Sequence, residues 1–496
     1  MMRTFRHAFV PVVCLFLAAC GGTPKVDDPL ADIRNPKLNE RRRVDAINET
    51  WSDARSGKLD MITAREELKT VAWSPGFPVK MRMAALTCLA SDPSDKGSAD
   101  TRAMFRLMLP REPDPTVTAY LASTSASRGW TETTPALVRS LSRVWPGVAD
   151  SSRPEYAAIV ALNPGKTVPD VVYAIFLNPP EEGGAFGAIP PERVRSDAWD
   201  LLARIDADGS VRASLMVTPE AGAAPGPVAD MQASLQDLRC LPLSGDELRW
   251  LSSLHDFTVE QNKLWWEQTA AVIAGLDRQK ADRLQLRHLE PIRWAASTKP
   301  EWLGASREQL LSELNSRIAP REISRRKAGD YSLWRPAPEK LADWEAKMSW
   351  ADVLAMLVID EAIHEQRVID AVFAQADMDR EDRSAEYGGV IRCVPGTNRF
   401  EAVLYPPRPG SRRGDKQFVA STDMIEQSNH ALVHYHFHVQ DLRNSQFAGP
   451  SPDDLAYAAR YGRSCVVLTS VGADALDADC YQPDGAVIDL GYIRLK

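Results

Sequence analysis

Four of the chain's eight histidines fall within nine positions, in "HALVHYHFH", residues 430–438. Alternate side chains of an extended strand share a face. His434, His436 and His438 therefore project together, with Tyr435 and Phe437 turned to the other side. Two imidazoles at i and i+2 can chelate one metal ion. Zinc then needs a third protein ligand and, for catalysis, a position left open to water. Taken alone, the pair is also the pattern of a half-exposed strand that happens to use histidine. Two flanking motifs add chemistry. Downstream, "SPDDLAYA" sets Ser451 and Asp454 at S-x-x-D where a helix opens, a spacing that equally makes a helix cap. Upstream, Glu386 stands just ahead of Gly388-Gly389, which opens a strand. A carboxylate near a reacting water can work as base and then as acid, and a hydroxyl aimed at a developing oxyanion stabilises it.

A glutamate, then His-x-His, then Ser-x-x-Asp, in that order, resembles the JAMM (MPN-type) zinc metalloprotease domain. The resemblance covers about residues 365–496, and takes in the helix ahead of Glu386 and the aromatic Tyr435 directly before the first ligand histidine. It implies Zn2+ as cofactor, with His436, His438 and Asp454 as its ligands. It implies Glu386 as the general base that passes a proton from the attacking water to the leaving amine. Ser451 would then hydrogen-bond the oxyanion or the water. His434 falls outside the family's pair. There are two departures. Val439 stands where the family usually has proline, and twelve residues separate His438 from Ser451, a longer connection than the common motif has. The implied activity is cleavage of an amide or isopeptide bond in a protein, a peptide or a cell-wall amide. The alternatives are an envelope scaffold whose JAMM-like module is inactive, and a zinc buffer.

The elements that must position these residues form a multidomain chain. Residues 346–496 read as an α+β domain with a mixed β-sheet flanked by helices. One long helix, "SWADVLAMLVIDEAIHEQRVIDAVFAQA", leads into seven strand-like runs interrupted by the helix "SPDDLAYAARYG". Asp484-Gly485 is a hairpin signal. Residues 38–230 read as a helical-repeat region with a Pro/Gly-rich insertion. Pro78-Val79 and Pro115 open comparable helices just under forty residues apart, and a further helix opens at Pro135. That pattern resembles HEAT-type repeats, although any helical bundle gives similar strings. Residues 231–345 are helical and tryptophan-rich, and the Trp265-Trp266 pair reads as core packing.

The N-terminus has the shape of an export signal over residues 1–19: Arg3 and Arg6, then a short apolar run ending in Leu17-Ala18-Ala19-Cys20. This resembles a bacterial lipobox, with Cys20 the lipidated residue and 20–37 a polar tether. By resemblance to diderm lipoproteins, the small residues after Cys20 imply the cell envelope, at the outer membrane and facing the periplasm, with the membrane reached through the lipid. The net charge of −8 over 496 residues argues against an obligate nucleic-acid partner. The basic runs Arg41-Arg42-Arg43 and Arg325-Arg326-Lys327 are flanked by acids and read as solvated faces. Of seven cysteines, Cys88 and Cys240 read as core residues, and Cys465–Cys480 is the first candidate for a disulfide.

Overall fold

The computed structural model describes residues 28–180, 189–217, 226–325 and 336–495. The export signal and Cys20 lie outside them. Two compact units divide between Thr133 and Thr134. Among the described residues no helix is long and apolar enough to cross a membrane.

The first unit is helical. Its principal helices are Glu40–Arg55, Met61–Trp73, Val79–Ala90, Asp95–Met108 and Pro115–Ser127. Side chains cap four of them: Asn39, Asp60, Ser94 and Asp114 each accept from an N–H of the first turn. Helices do open at the two proline positions, after Pro78 and at Pro115. Ile47, Leu68, Met81, Phe105 and Leu121 are fully buried. An Arg82–Glu112 ion pair is buried among them, and Glu112 also accepts from the N–H of Asp114 at 3.0 Å, which ties the pair to the cap of the next helix. The stretch expected as a tether is not extended where it is described. Asp28 caps a Pro29–Arg34 helix. Ile33 is buried, and its carbonyl accepts from Arg43 Nε at 2.9 Å. An apolar side chain with a satisfied carbonyl docks this segment on the unit.

The second unit begins with helices and ends in a mixed sheet flanked by helices. Trp265 and Trp266 are core residues, their indole N–H groups donating to Glu290 and Asp237. The strands are β1 (Ala385–Glu386), β2 (Gly388–Cys393), β3 (Phe400–Leu404), β4 (Gly414–Phe418), β5 (Ala431–His438), β6 (Cys465–Gly472), β7 (Ala475–Tyr481) and β8 (Val487–Arg494). The main sheet runs β3-β2-β5-β6-β7-β8, while β1 and β4 pair in parallel as a separate ribbon. Only β5–β6 is parallel in the main sheet. A parallel pair needs a crossover, and the Pro452–Tyr461 helix supplies it. Gly485, at φ +85°, makes the expected β7–β8 turn.

The single long helix expected before Glu386 is two helices, Trp350–Ile363 and Gln366–Glu381. The break at His364-Glu365 has a cause. Glu365 leaves the helical conformation and its carboxylate accepts from Arg399 Nε at 3.0 Å and from the Phe400 N–H at 2.7 Å, fastening the corner to the start of β3.

Strand register also overturns the expected disulfide. Cys465 stands opposite Tyr481, and Cys480 opposite Val466. The two thiols therefore leave opposite faces of the sheet, and both are free and buried. The vectors of such a pair cannot be bridged.

Candidate metal centre

β5 presents its histidines to the face covered by the crossover helix. Ala458 of that helix packs on Cys465, Val467 and Tyr481. On the other face the Tyr435 hydroxyl donates to Gln375 of the Gln366–Glu381 helix. Alternation along β5 is thus as the sequence dictates, but every residue of the strand is buried, so it is not a half-exposed strand.

His436, His438 and Asp454 come together, each offering one ligand atom, with all these atoms within 4.8 Å of one another. Their protonation geometry suits a cation. Nδ1 of His438 donates to the carbonyl of Phe447 at 2.9 Å, which turns Nε2 towards Asp454, 3.8 Å from its Oδ2. Nδ1 of His436 faces the Tyr481 hydroxyl at 3.4 Å, and Phe418 stacks on its ring at 5.2 Å. Nε2 of His436 is buried and faces Asp454 Oδ1 at 3.3 Å. A buried imidazole nitrogen that faces a carboxylate, with a second imidazole alongside, fits a metal ion, and a histidine whose other nitrogen is tied to a carbonyl is the usual ligand arrangement.

Asp454 reaches the histidines from the first turn of the crossover helix. It closes a capping box with Ser451: the Ser451 N–H donates to Asp454 Oδ2 at 2.7 Å, and the Asp454 N–H to Ser451 Oγ at 3.3 Å. Burial works to raise the Asp454 carboxyl, but His436 and then His438 outweigh it and hold the group well below the usual carboxylate range. Burial lowers His436, and the Asp454 carboxylate more than compensates, so it is raised.

Glu386 sits on β1. Gly388, two residues on at the start of β2, lies opposite His436. A Cβ at Gly388 would meet the Phe418 ring at 2.4 Å and the Tyr435 carbonyl at 2.6 Å, so only glycine lets this strand approach. Burial pushes the Glu386 carboxyl up to about 7, with His436 pulling it down and Asp454 and Asp415 pushing it further up. Glu386, His438, Ser451 and Asp454 line one cleft of about 410 Å³, with Arg383 and Lys416 also on its walls.

His434 does not join the group. It is buried, with Nδ1 2.9 Å from the Tyr457 hydroxyl, and burial drives it well below its ordinary value. His430 is apart from the cluster, stacked on Trp265 at 5.6 Å.

The sequence reading missed two supports of the site. Gln440 donates to Glu386 Oε1 and to the Asp415 carbonyl, each at 3.0 Å. Asn444 donates to the His438 carbonyl at 3.1 Å and to Gln440 Oε1 at 2.7 Å. The signal for Gln440 was present, because it is the next alternate position after His438. Asp379, buried beside Glu386 and Asp415, is pushed up to about 8 by burial, against the Tyr387 N–H that it accepts at 3.0 Å.

No known family model, curated protein or solved structure matches the chain.

Proposed function

We propose that the C-terminal domain is a JAMM-type zinc hydrolase that cleaves amide or isopeptide bonds in a protein or peptide. We further propose that the chain is held at the cell envelope by lipid on Cys20, and that its HEAT-like helices bind a partner or substrate. The observation that carries the catalytic reading is the convergence of His436, His438 and Asp454, whose ligand atoms lie within 4.8 Å of one another, with His438 and Asp454 lining a cleft that Glu386 also lines.

Zinc held by these three side chains supplies Lewis acidity towards a carbonyl and makes water a nucleophile near neutral pH. The chain's own residues do the rest. Glu386, with a carboxyl near 7, takes the proton of the attacking water and returns it to the departing amine. Gln440 holds one oxygen of Glu386, which fixes its direction. Ser451 Oγ already accepts from the Asp454 N–H, so its hydrogen is left to donate to the oxyanion. The Phe447 carbonyl keeps His438 in the tautomer that offers Nε2.

A second reading has its own support. Asp454 stands close enough to His436 to form an ion pair without any metal, as a non-catalytic scaffold module would. Substituting Glu386→Gln separates the two. The hydrolase reading expects metal retained and turnover of a peptide or isopeptide library lost, while a scaffold shows no turnover to lose.

A further inference from the structure

A second group of buried carboxylates lies on the same sheet face. Register places His436, Val467 and Asp479 in one row across β5, β6 and β7, and His438, Thr469 and Asp477 in the next. Asp489 of β8 stands opposite Asp479. Carboxylate oxygens of Asp477, Asp479 and Asp489 lie within 4.8 Å of one another, and all three residues are buried. Adjacent strands are about 4.8 Å apart, so two strand steps separate His438 from Asp477 by roughly 10 Å. That exceeds the roughly 4 Å of a shared two-metal site, so the groups are distinct.

Three carboxylates this close need a counter-charge or protons. The backbone gives each acid one donor: the Ser324 N–H donates to Asp477 at 3.2 Å, the Gly491 N–H to Asp489 at 2.8 Å, and the Gly449 N–H faces Asp479. Asp477 and Asp489 face one another at hydrogen-bond reach, and among the described residues no side chain outside the cluster donates to Oδ1 of Asp477, to either oxygen of Asp479 or to Oδ2 of Asp489. Independently of the acids, the Thr469 hydroxyl, fully buried and directly across from Asp477, has no hydrogen-bond partner among the described residues. A fourth carboxylate is close. A Cβ built on Gly449 would lie 2.6 Å from Glu339 Oε1 and 3.9 Å from Asp479 Cγ.

We infer that Asp477, Asp479, Asp489 and Thr469 bind a hard divalent cation of the calcium class, with Glu339 at its edge. The donors are all oxygen, with no imidazole or thiolate, which selects calcium over zinc or copper. The ion has a structural place. Gly449 is two residues past Phe447, whose carbonyl holds His438. Neutralising the acids there fastens the 439–450 connection and Glu339 to the face of β7.

The test is calcium titration of the full chain after chelation, followed by calorimetry, elemental analysis and thermal melting. One calcium per chain with a raised Tm is expected, unchanged in His436→Ala/His438→Ala and lost in Asp479→Asn/Asp489→Asn. No calcium uptake by the wild-type chain would overturn the inference, as would uptake that survives the double Asn substitution. If that double variant does not fold, Thr469→Val together with Asp489→Asn must weaken calcium binding at least tenfold; unchanged affinity overturns the assignment. Calcium uptake without zinc would fail the hydrolase reading alone, and zinc uptake without calcium this one alone.

Discussion

Nδ1 of His438 is bonded to the carbonyl of Phe447, nine residues further along the chain. Phe447 belongs to the connection that makes the His438–Ser451 spacing longer than the family's motif. That connection is not a spacer pushing Asp454 away. It returns to the strand it left, with Asn444 gripping the His438 carbonyl and its own N–H donating to Ser470. Val439, where the family usually has proline, is fully buried at the end of β5.

Gln440 should therefore matter to rate more than to metal. Its amide holds Glu386 and the Asp415 carbonyl. Gln440→Ala is expected to lower kcat/KM about 10- to 100-fold, the usual cost of losing an orienting partner at a metal site. Zinc content measured alongside should stay unchanged.

Hydrolysis should depend on pH through Glu386. Burial raises this carboxyl to about 7, and a base works only when ionised. Activity is thus low below that value and rises as pH climbs through it. A pH profile of kcat/KM should show this acidic limb. In Glu386→Gln the limb and the turnover should vanish together, and persistence of the limb would assign it to another group.

Ser451 has two roles that separate experimentally. As a helix cap, its replacement by alanine costs about 1 kcal/mol of stability, whereas glycine costs only a few tenths. As an oxyanion donor, its loss costs about 10²- to 10³-fold in kcat whichever residue replaces it. Thermal melts should then distinguish Ser451→Ala from Ser451→Gly, while their rates fall alike. A rate that tracks the melts instead would leave Ser451 a cap only.

The histidine strand was legible because alternation needs only a period of two, and the flanking motifs mark both the glutamate strand and the crossover helix. What lay beyond reach depended on contacts distant in sequence. The split at His364-Glu365 is imposed by Arg399 and Phe400, over thirty positions away. The faces of Cys465 and Cys480 follow from the β6–β7 register, which spacing does not determine. Asp28–Arg34 read as tether because its polar composition hides one apolar anchor, Ile33. The three aspartates of β7 and β8 carry no signal in the sequence, since their convergence needs both strands paired.

The thiols offer a direct check of that register. Cys465 and Cys480 should both be counted as free thiols by alkylation and mass spectrometry of the denatured, unreduced chain. Reductant should leave Tm unchanged. A mass deficit of two hydrogens mapping to this pair would mean that β6 and β7 pair differently.

The central claim is that His436, His438 and Asp454 hold a metal ion. Zinc measured by elemental analysis, on the purified chain and on a His436→Ala/His438→Ala variant of verified fold, tests it most directly. The account predicts about one zinc per wild-type chain and none in the variant. A wild-type chain without zinc after reconstitution, or a variant that keeps it, would contradict the account.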